Sequence, residues 1–90
     1  MTAGFDINDR RTWAWTDSAS WPDLEFWLDP DSPGSFFQRS AHGAVRQPCP
    51  AGLVFNPTVE TGPVCDWPAA VEDAAVYAWA VAHGQVTDQR

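Results

Sequence analysis

The residues with the clearest chemical potential are Cys49 and Cys65, the only two cysteines in the chain. The fifteen residues between them include three prolines and two glycines. A pair this isolated can form a disulfide, supply half of a metal site or remain as two unrelated thiols. A disulfide would matter for a chain of 90 residues, because closing such a loop stabilises a fold by about 3 kcal/mol in the chain-entropy model.

A zinc site would need two further ligands, and the chain offers His42 and His83. Structural zinc ligands usually come as closely spaced Cys or His pairs on tight turns, and this spacing matches no such motif. We therefore expect no metal and no other cofactor. His83 is expected to interact with the C-terminus of a helix, and His42 is expected to be a turn residue.

Of the possible functional classes, an enzyme is the one that the sequence supports least. The twelve acidic residues supply carboxylates, but no spacing marks the pair that a glycosidase holds across a cleft. No Gly-x-Ser-x-Gly motif is present to provide an activated serine. The sequence therefore predicts a protein that is not an enzyme, with its carboxylates on a solvated surface.

Charge and composition restrict the partners. The net charge of −7 argues against a nucleic-acid partner, because no basic stripe exists to release phosphate counterions. No apolar run is long enough to span a membrane, and the first residues show no signal-peptide pattern, so we expect no membrane partner. Six Trp, five Phe and one Tyr are many for this length, so we expect part of this aromatic surface to contact a ligand or another protein.

The elements that would position these residues are mostly short strands. LEFWL (24–28), SFFQRS (35–40) and AVRQP (44–48) predict an antiparallel meander, with turns at 29–34 and 41–43. The first of these is ambiguous, since Ser20 and Asp23 also resemble a helix cap, but we favour a strand. LVFN (53–56) and VCD (64–66) predict a second hairpin around a loop at 56–63, which would bring the two cysteines near each other.

The segment PAAVEDAAVYAWAVAHG, residues 68–84, predicts a helix that begins at Pro68 and ends at Gly84. Small residues form one stripe of this helix, and Val76, Trp79 and Val81 form a bulkier one. One stripe can cover the sheet, and the other is left for a partner. The predicted fold class is therefore a small β-rich (α+β) domain: a short antiparallel meander, a disulfide-closed β-hairpin and an added C-terminal α-helix.

The chain divides into an N-terminal arm (1–20), a β domain (21–67), the helix (68–84) and a tail (85–90). In the arm, Trp13 and Trp15 alternate with other residues, which suits a short strand or an arm laid across another surface. We expect an assembly interface made from the arm and the helix, with Trp13, Trp15, Val76 and Trp79 as its residues.

The stretch CPAGLVFNP followed by VCDWP resembles the peritrophin-A type chitin-binding domain, a family-14 carbohydrate-binding module. Upstream, DPDSPGSFFQRSAHG is similar to the aromatic pair and glycine turn of that family, so the resemblance covers about residues 28–71. The matching positions of the second half are Cys49, Pro50, Gly52, Leu53, Phe55, Asn56, Cys65, Asp66, Trp67 and Pro68.

Departures from the family pattern are informative. Members usually carry six cysteines, whereas this chain keeps the fourth and fifth and has Arg39 where the third would be. In the family these two cysteines pair with each other, so the resemblance implies a Cys49–Cys65 disulfide and the loss of the other two bridges. It also implies that a sugar would stack on an aromatic side chain, with polar groups meeting its hydroxyl and N-acetyl groups. The implied binding residues are Trp67, Phe37, Asn56 and Asp66.

The resemblance implies a non-catalytic module that binds or adheres to a chitin-like or other N-acetylated glycan. We expect it to be displayed on a larger assembly, such as a phage particle with its capsid or tail proteins, at an extracellular or virion surface. The alternative is a purely structural capsid or tail decoration protein that reuses the fold without binding sugar.

Overall fold

The structure is a computed structural model that describes residues 4–59 and 64–90. The start of the predicted arm and the end of the predicted 56–63 loop lie outside these residues. The described elements are β1 (Ala14–Trp15), β2 (Phe26–Leu28), β3 (Ser35–Ser40), β4 (Gly43–Pro48), β5 (Val54–Asn56), β6 (Val64–Asp66), α1 (Asp73–Ala82) and β7 (Val86–Thr87). Short 3-10 turns cover Arg10–Thr12, Ser18–Ser20 and Pro68–Ala70. The predicted small β-rich α+β fold is confirmed.

Strands β2, β3 and β4 form the predicted antiparallel meander in that order. Their register places Phe37 opposite Trp27 on one side and opposite Arg46 on the other. Because side chains alternate across a strand, the neighbouring pair Leu28 and Phe36 points to the opposite face of the sheet. One face of the meander therefore packs on the core, and the other face points away from the core.

The second hairpin, β5 with β6, pairs Phe55 with Cys65. The predicted disulfide is present, and it joins Cys65 to Cys49, just after β4. Further backbone hydrogen bonds fasten the hairpin region to the turn before β3, from Cys49 N to Gly34 O at 2.9 Å and from Phe55 N to Pro33 O at 2.9 Å. Since both sulfurs are bonded to each other, neither is available as a zinc ligand.

The helix begins later than the sequence predicts. Pro68 starts a 3-10 turn, and α1 begins only at Asp73. Between them Val71 is extended, with a φ of −110°, and its side chain packs against the core. The prediction of a continuous helix from Pro68 is therefore wrong, because an extended step interrupts it where Val71 meets the core.

The end of the helix is as predicted. Gly84 has a φ of +78°, a conformation that glycine adopts without strain. The backbone N–H of Gly84 donates to the carbonyl of Val81 at 3.2 Å, and that of Gln85 donates to Ala80 at 2.9 Å. These two bonds form a Schellman motif, which pairs the last carbonyls of α1.

The predicted arm and tail pack together. Strand β1 pairs antiparallel with β7, with Trp15 opposite Val86. Trp13 is only 4% exposed, and its ring meets that of Tyr77 edge-on at a centroid distance of 5.0 Å. The segments around β1 and β7 therefore both contribute side chains to the core. The core contains Trp13, Leu28, Phe55, Val76, Tyr77, Ala80 and Val86.

The helix turns its bulkier side inward. Val76, Tyr77 and Ala80 are completely buried, whereas Ala74, Ala75 and Ala78 are exposed. Burying the larger side chains removes more apolar area from water, and exposed alanines cost little because alanine is the best helix former. In the described part of the chain, no helix has the length and apolar character needed to cross a membrane.

Candidate functional site

A cleft of about 670 Å³ lies on the face of the meander that points away from the core. Four aromatic residues and two aspartates are prominent in its lining, and the side chain of one of these aspartates, Asp29, is completely buried. The lining residues are Trp15, Thr16, Ser18, Ala19, Trp21, Trp27, Asp29, Pro30, Asp31, Phe37 and Ala44. We call this the aromatic cleft; its volume is within the range of pockets that hold small molecules.

The floor of the aromatic cleft is set by strand register. Trp27 in β2 and Phe37 in β3 are directly opposite each other and share the outward face. Phe36, the neighbour of Phe37, points the other way and stacks on Phe55 at a centroid distance of 4.6 Å. The two consecutive phenylalanines thus have different tasks: Phe36 contributes to packing and Phe37 to the cleft.

The opposite wall comes from the segment between β1 and β2. The Asp17 side chain accepts a hydrogen bond from Ala19 N at 3.0 Å, which caps the Ser18–Ser20 turn. Trp21 follows this turn, and its ring lies 6.4 Å from that of Phe37, tilted by 52°. Thr16 N donates to Gln85 O at 2.9 Å and so ties this wall to the far end of the chain.

All three indoles of the cleft are held by backbone hydrogen bonds. The ring N–H of Trp15 donates to Arg10 O at 2.7 Å, that of Trp21 to Thr16 O at 3.2 Å and that of Trp27 to Pro22 O at 2.9 Å. Because each N–H is used inside the protein, the rings are fixed in orientation. The half-buried Trp15 and Trp21 offer a ligand ring surface rather than hydrogen-bond donors, whereas Trp27 is only 8% exposed.

The charged residues at the cleft form one network. The completely buried carboxylate of Asp29 accepts hydrogen bonds from Ser35 Oγ at 2.6 Å and Asp31 N at 2.9 Å. Arg46 Nε lies 3.1 Å from the same carboxylate, and the guanidinium sits 5.5 Å from the centre of the Phe37 ring. The Asp31 carboxylate lies at the mouth of the cleft, with its side chain 82% exposed and 3.7 Å from Arg46 Nη2.

A smaller recess of about 140 Å³ adjoins the aromatic cleft at Asp31, which lines both. Its other lining residues are Asn8, Asp9, Arg10, Arg11, Pro33 and Asp73. Arg10 is buried and donates from Nη1 to the Asp29 carbonyl at 3.2 Å. Burial lowers the pKa of the Arg10 guanidinium, although the negative charges of Asp73 and Asp29 act in the opposite direction. Hydrogen bonds from Arg11 lower the pKa of the exposed Asp9 carboxyl.

The structure separates the four glycan-binding residues expected from the sequence. Phe37 lines the aromatic cleft, whereas Trp67 does not. Trp67 follows β6 and is 66% exposed, so its ring is an accessible aromatic surface at a second place. Asp66 is half-buried and accepts a hydrogen bond from Trp67 N at 2.8 Å.

The structure corrects the expectation that Asn56 is a glycan-binding residue. It is 5% exposed, and its side-chain oxygen accepts hydrogen bonds from Thr58 N at 3.0 Å and Thr58 Oγ1 at 2.6 Å. An asparagine that closes a turn in this way has a structural task. Asn56 is therefore not placed to meet the hydroxyls of a sugar.

Two of the four residues expected at an assembly interface are also corrected. Trp13 and Val76 are buried in the core, because the arm and the helix pack on each other, so neither side chain can reach a partner. Trp15 is half-buried and lines the aromatic cleft. Trp79 is half-buried and stacks on His83 at 4.1 Å.

The predictions for the two histidines are confirmed. His83 Nδ1 lies 2.8 Å from the carbonyl oxygen of Trp79, in the last turn of α1. His42 lies in the turn between β3 and β4. Across residues 4–59 and 64–90, no three His, Cys, Asp or Glu side chains are grouped as metal ligands would be.

Sequence reasoning missed Trp21, Trp27, Asp29 and Asp31 as cleft residues and gave Trp15 a different task. Trp27 could have been found, because aligning the predicted strands of the meander puts it opposite Phe37. Trp21 had no such signal, since it lies outside any strand and reaches the cleft only through the fold of its segment.

Comparison of the chain with protein-family models, curated proteins and solved structures finds no match in any of the three.

Proposed function

We propose that this protein is a non-catalytic module that binds a chitin-like glycan in the aromatic cleft and is displayed on a larger assembly. The observation that carries the proposal is the cleft itself, in which Trp15, Trp21 and Phe37 are half-buried and present ring surface. The indole of Trp27, which is 8% exposed, lies beneath them as part of the floor. A sugar ring has an apolar C–H face and a rim of hydroxyls. Stacking that face on an aromatic ring removes apolar surface from water at little cost in ordering the protein.

The polar groups around the cleft support the same ligand class. Asp31 and Thr16 lie on its lining and can accept or donate hydrogen bonds to hydroxyl groups. Arg46 lies above Phe37 but is engaged by Asp29, so it closes one end of the aromatic floor. A ligand with a flat apolar face and hydroxyls at its edge fits this arrangement better than a purely apolar one.

Trp67 offers a second aromatic surface, the one that the family resemblance implies. Its exposure makes it accessible to a polymer lying across the outside of the β5–β6 hairpin. The two surfaces can be separated by substitution, because Trp67 lies outside the residues that line the aromatic cleft. We place the main contact in the cleft, where four aromatic side chains converge.

The proposal is tested by titrating the protein with N-acetylglucosamine oligomers in a calorimeter and by retention on insoluble chitin. We expect the wild type to bind and Trp21→Ala to weaken binding about tenfold, which corresponds to about 1.4 kcal/mol and to a good aromatic contact. Trp79→Ala is the matched control, because Trp79 is half-buried but does not line the cleft. It should bind as the wild type does.

Other outcomes have defined meanings. A loss of binding in Trp67→Ala but not in Trp21→Ala would move the site to the hairpin and contradict the cleft assignment. No binding by the wild type in either assay would contradict the glycan function altogether.

The second candidate is a structural decoration protein that does not bind sugar. Exposed apolar side chains on the second hairpin, Val64 and Trp67, favour it, since accessible apolar surface often marks a protein contact. This alternative predicts that the isolated chain self-associates. A monodisperse monomer that melts cooperatively would count against it. An extracellular or virion-surface location suits either candidate, because disulfides persist in oxidising surroundings.

A further inference from the structure

We infer that the aromatic cleft selects a chitin-like glycan with free amino groups, and that Asp31 is the residue that contacts the ammonium group. This inference rests on the proposed glycan-binding function and names the chemical form of the ligand. A partly deacetylated chain carries such amino groups between its N-acetyl groups.

The first argument is the charge of the cleft. Within residues 4–59 and 64–90, the charged residues that line it are Asp29 and Asp31, and both are acidic. Arg46 contacts both carboxylates, at 3.1 Å from Asp29 and 3.7 Å from Asp31, and the buried Arg10 donates to the Asp29 carbonyl at 3.2 Å. Arg46 lies closer to the buried Asp29, so the excess of negative charge at the mouth of the cleft is that of the exposed Asp31 carboxylate. A cationic ligand neutralises this excess, whereas a neutral N-acetyl group does not.

The second argument is the difference between the two carboxylates. Asp29 is completely buried, and its oxygens are engaged by Ser35, Arg46 and the backbone of Asp31. The Asp31 carboxylate is exposed, and its separation of 3.7 Å from Arg46 is too long for a hydrogen bond. Its oxygens are therefore the ones that can accept from a ligand at the mouth of the cleft.

The third argument is the surface beyond Asp31, where carboxylates outnumber guanidiniums. The smaller recess that shares this residue also contains Asp9 and Asp73. Arg11 forms an ion pair with Asp9 at 3.3 Å, and Arg10 is buried with its Nη1 directed to a backbone carbonyl. The recess thus combines three carboxylates with two guanidiniums, and a glycan chain that leaves the cleft past Asp31 meets charges of both signs with a small acidic excess.

An ammonium group also suits the aromatic walls. Cations are attracted to the faces of tryptophan rings, and the compact ammonium carries three donors for carboxylate oxygens. The net charge of −7 raises the local concentration of a polycationic glycan around the protein. Stacking of the sugar ring and pairing of its ammonium thus act on the same ligand.

The test compares glucosamine oligomers with N-acetylglucosamine oligomers of equal length, titrated into the full chain at a mildly acidic pH and low salt. We expect the Kd for the amino form to be about two- to five-fold lower, the size of effect that a partly exposed ion pair gives. Added salt should reduce this preference, because exposed charges are screened. Asp31→Asn should abolish the preference, because it should weaken binding of the amino form by more than it changes binding of the acetylated oligomer.

Asp23→Asn is the matched control. The side chain of Asp23 is 83% exposed and pairs with Arg39 at 2.8 Å, but it does not line the cleft. This variant changes the net charge by the same amount and should keep the full preference.

Equal or tighter binding of the acetylated oligomer would overturn the inference and leave the glycan-binding function standing. Equal losses in Asp31→Asn and Asp23→Asn would also overturn it, because net charge rather than position would then be the cause. If neither oligomer binds, the proposed function itself fails and the inference fails with it.

Discussion

The side chain of Gln85 makes two hydrogen bonds with the backbone of Leu28. Its Oε1 accepts from Leu28 N at 3.0 Å, and its Nε2 donates to Leu28 O at 3.2 Å. Both residues are completely buried. Leu28 lies in β2, at the edge of the meander, so this amide takes the place of a further strand and pairs backbone groups that would otherwise be buried without partners.

Replacing Gln85 by Leu should therefore destabilise the protein strongly. The substitution keeps a similar shape but leaves the N–H and C=O of Leu28 unpaired, so we expect the free energy of unfolding to fall by about 3 kcal/mol. Urea denaturation measures this loss. Gln89→Leu is the control, because Gln89 is exposed in the C-terminal segment, and it should change stability by less than about 0.5 kcal/mol. Equal effects of the two substitutions would contradict the structural task of Gln85.

Arg46→Ala should be more harmful than removal of another surface arginine. Arg46 is a counter-ion of the completely buried Asp29 carboxylate, so its loss leaves a buried charge with fewer partners. We expect a loss of about 2 kcal/mol in urea denaturation, because a buried charged group is then left without one of its partners. Arg39→Ala removes an exposed pair with Asp23 and should cost less than about 1 kcal/mol. The reverse order would show that Asp29 does not depend on Arg46.

Removing the Cys49–Cys65 disulfide by replacing both residues with serine should lower the free energy of unfolding by about 3 kcal/mol, because the unfolded chain regains entropy. Thermal melting with and without reductant gives an independent measurement, and reductant should lower the Tm of the wild type only. A thiol assay on the unfolded, unreduced protein should find no free cysteine. Two free thiols in that assay would contradict the bridge and weaken the family resemblance.

Gly84→Ala should lower the Tm by about 5 °C, since a cost of about 1 kcal/mol has roughly this effect in a domain of this size. The cause is backbone strain at a φ of +78°, because the nearest atom to an added Cβ would be Pro22 Cδ at an ordinary 3.8 Å. Gly4→Ala is the control, as Gly4 has open space around it and no positive φ. A Tm unchanged in Gly84→Ala would mean that the end of α1 does not require glycine.

Much of the fold could be predicted because its elements are local. The three strands of the meander follow from alternating apolar residues between turn signals, and the end of α1 follows from Gly84. The start of α1 was less predictable, because a proline at Pro68 suits both a 3-10 turn and a helix. The contact of Val71 with the core decided between them.

The candidate site was predictable only in part. Phe37 was expected, because it lies on a predicted strand within the family resemblance. Trp15, Trp21 and Trp27 come from three segments with no shared local pattern, and they meet only where the chain folds them onto one face of the sheet. Asn56 was wrongly expected to bind sugar, because the sequence does not distinguish an asparagine that is exposed to a ligand from one whose side chain closes a turn.

By itself, the sequence determined the positions of the strands and turns, the end of the helix and a cysteine pair at hairpin spacing. These features depend on backbone preferences and on neighbours a few residues away. Only the tertiary structure decided that the two ends of the chain pair as β1 and β7, that the bulkier side of α1 faces inward and that four aromatic rings converge. Those outcomes depend on contacts between residues far apart in the chain, which form when burying the largest apolar surfaces outweighs the entropy lost in closing long loops.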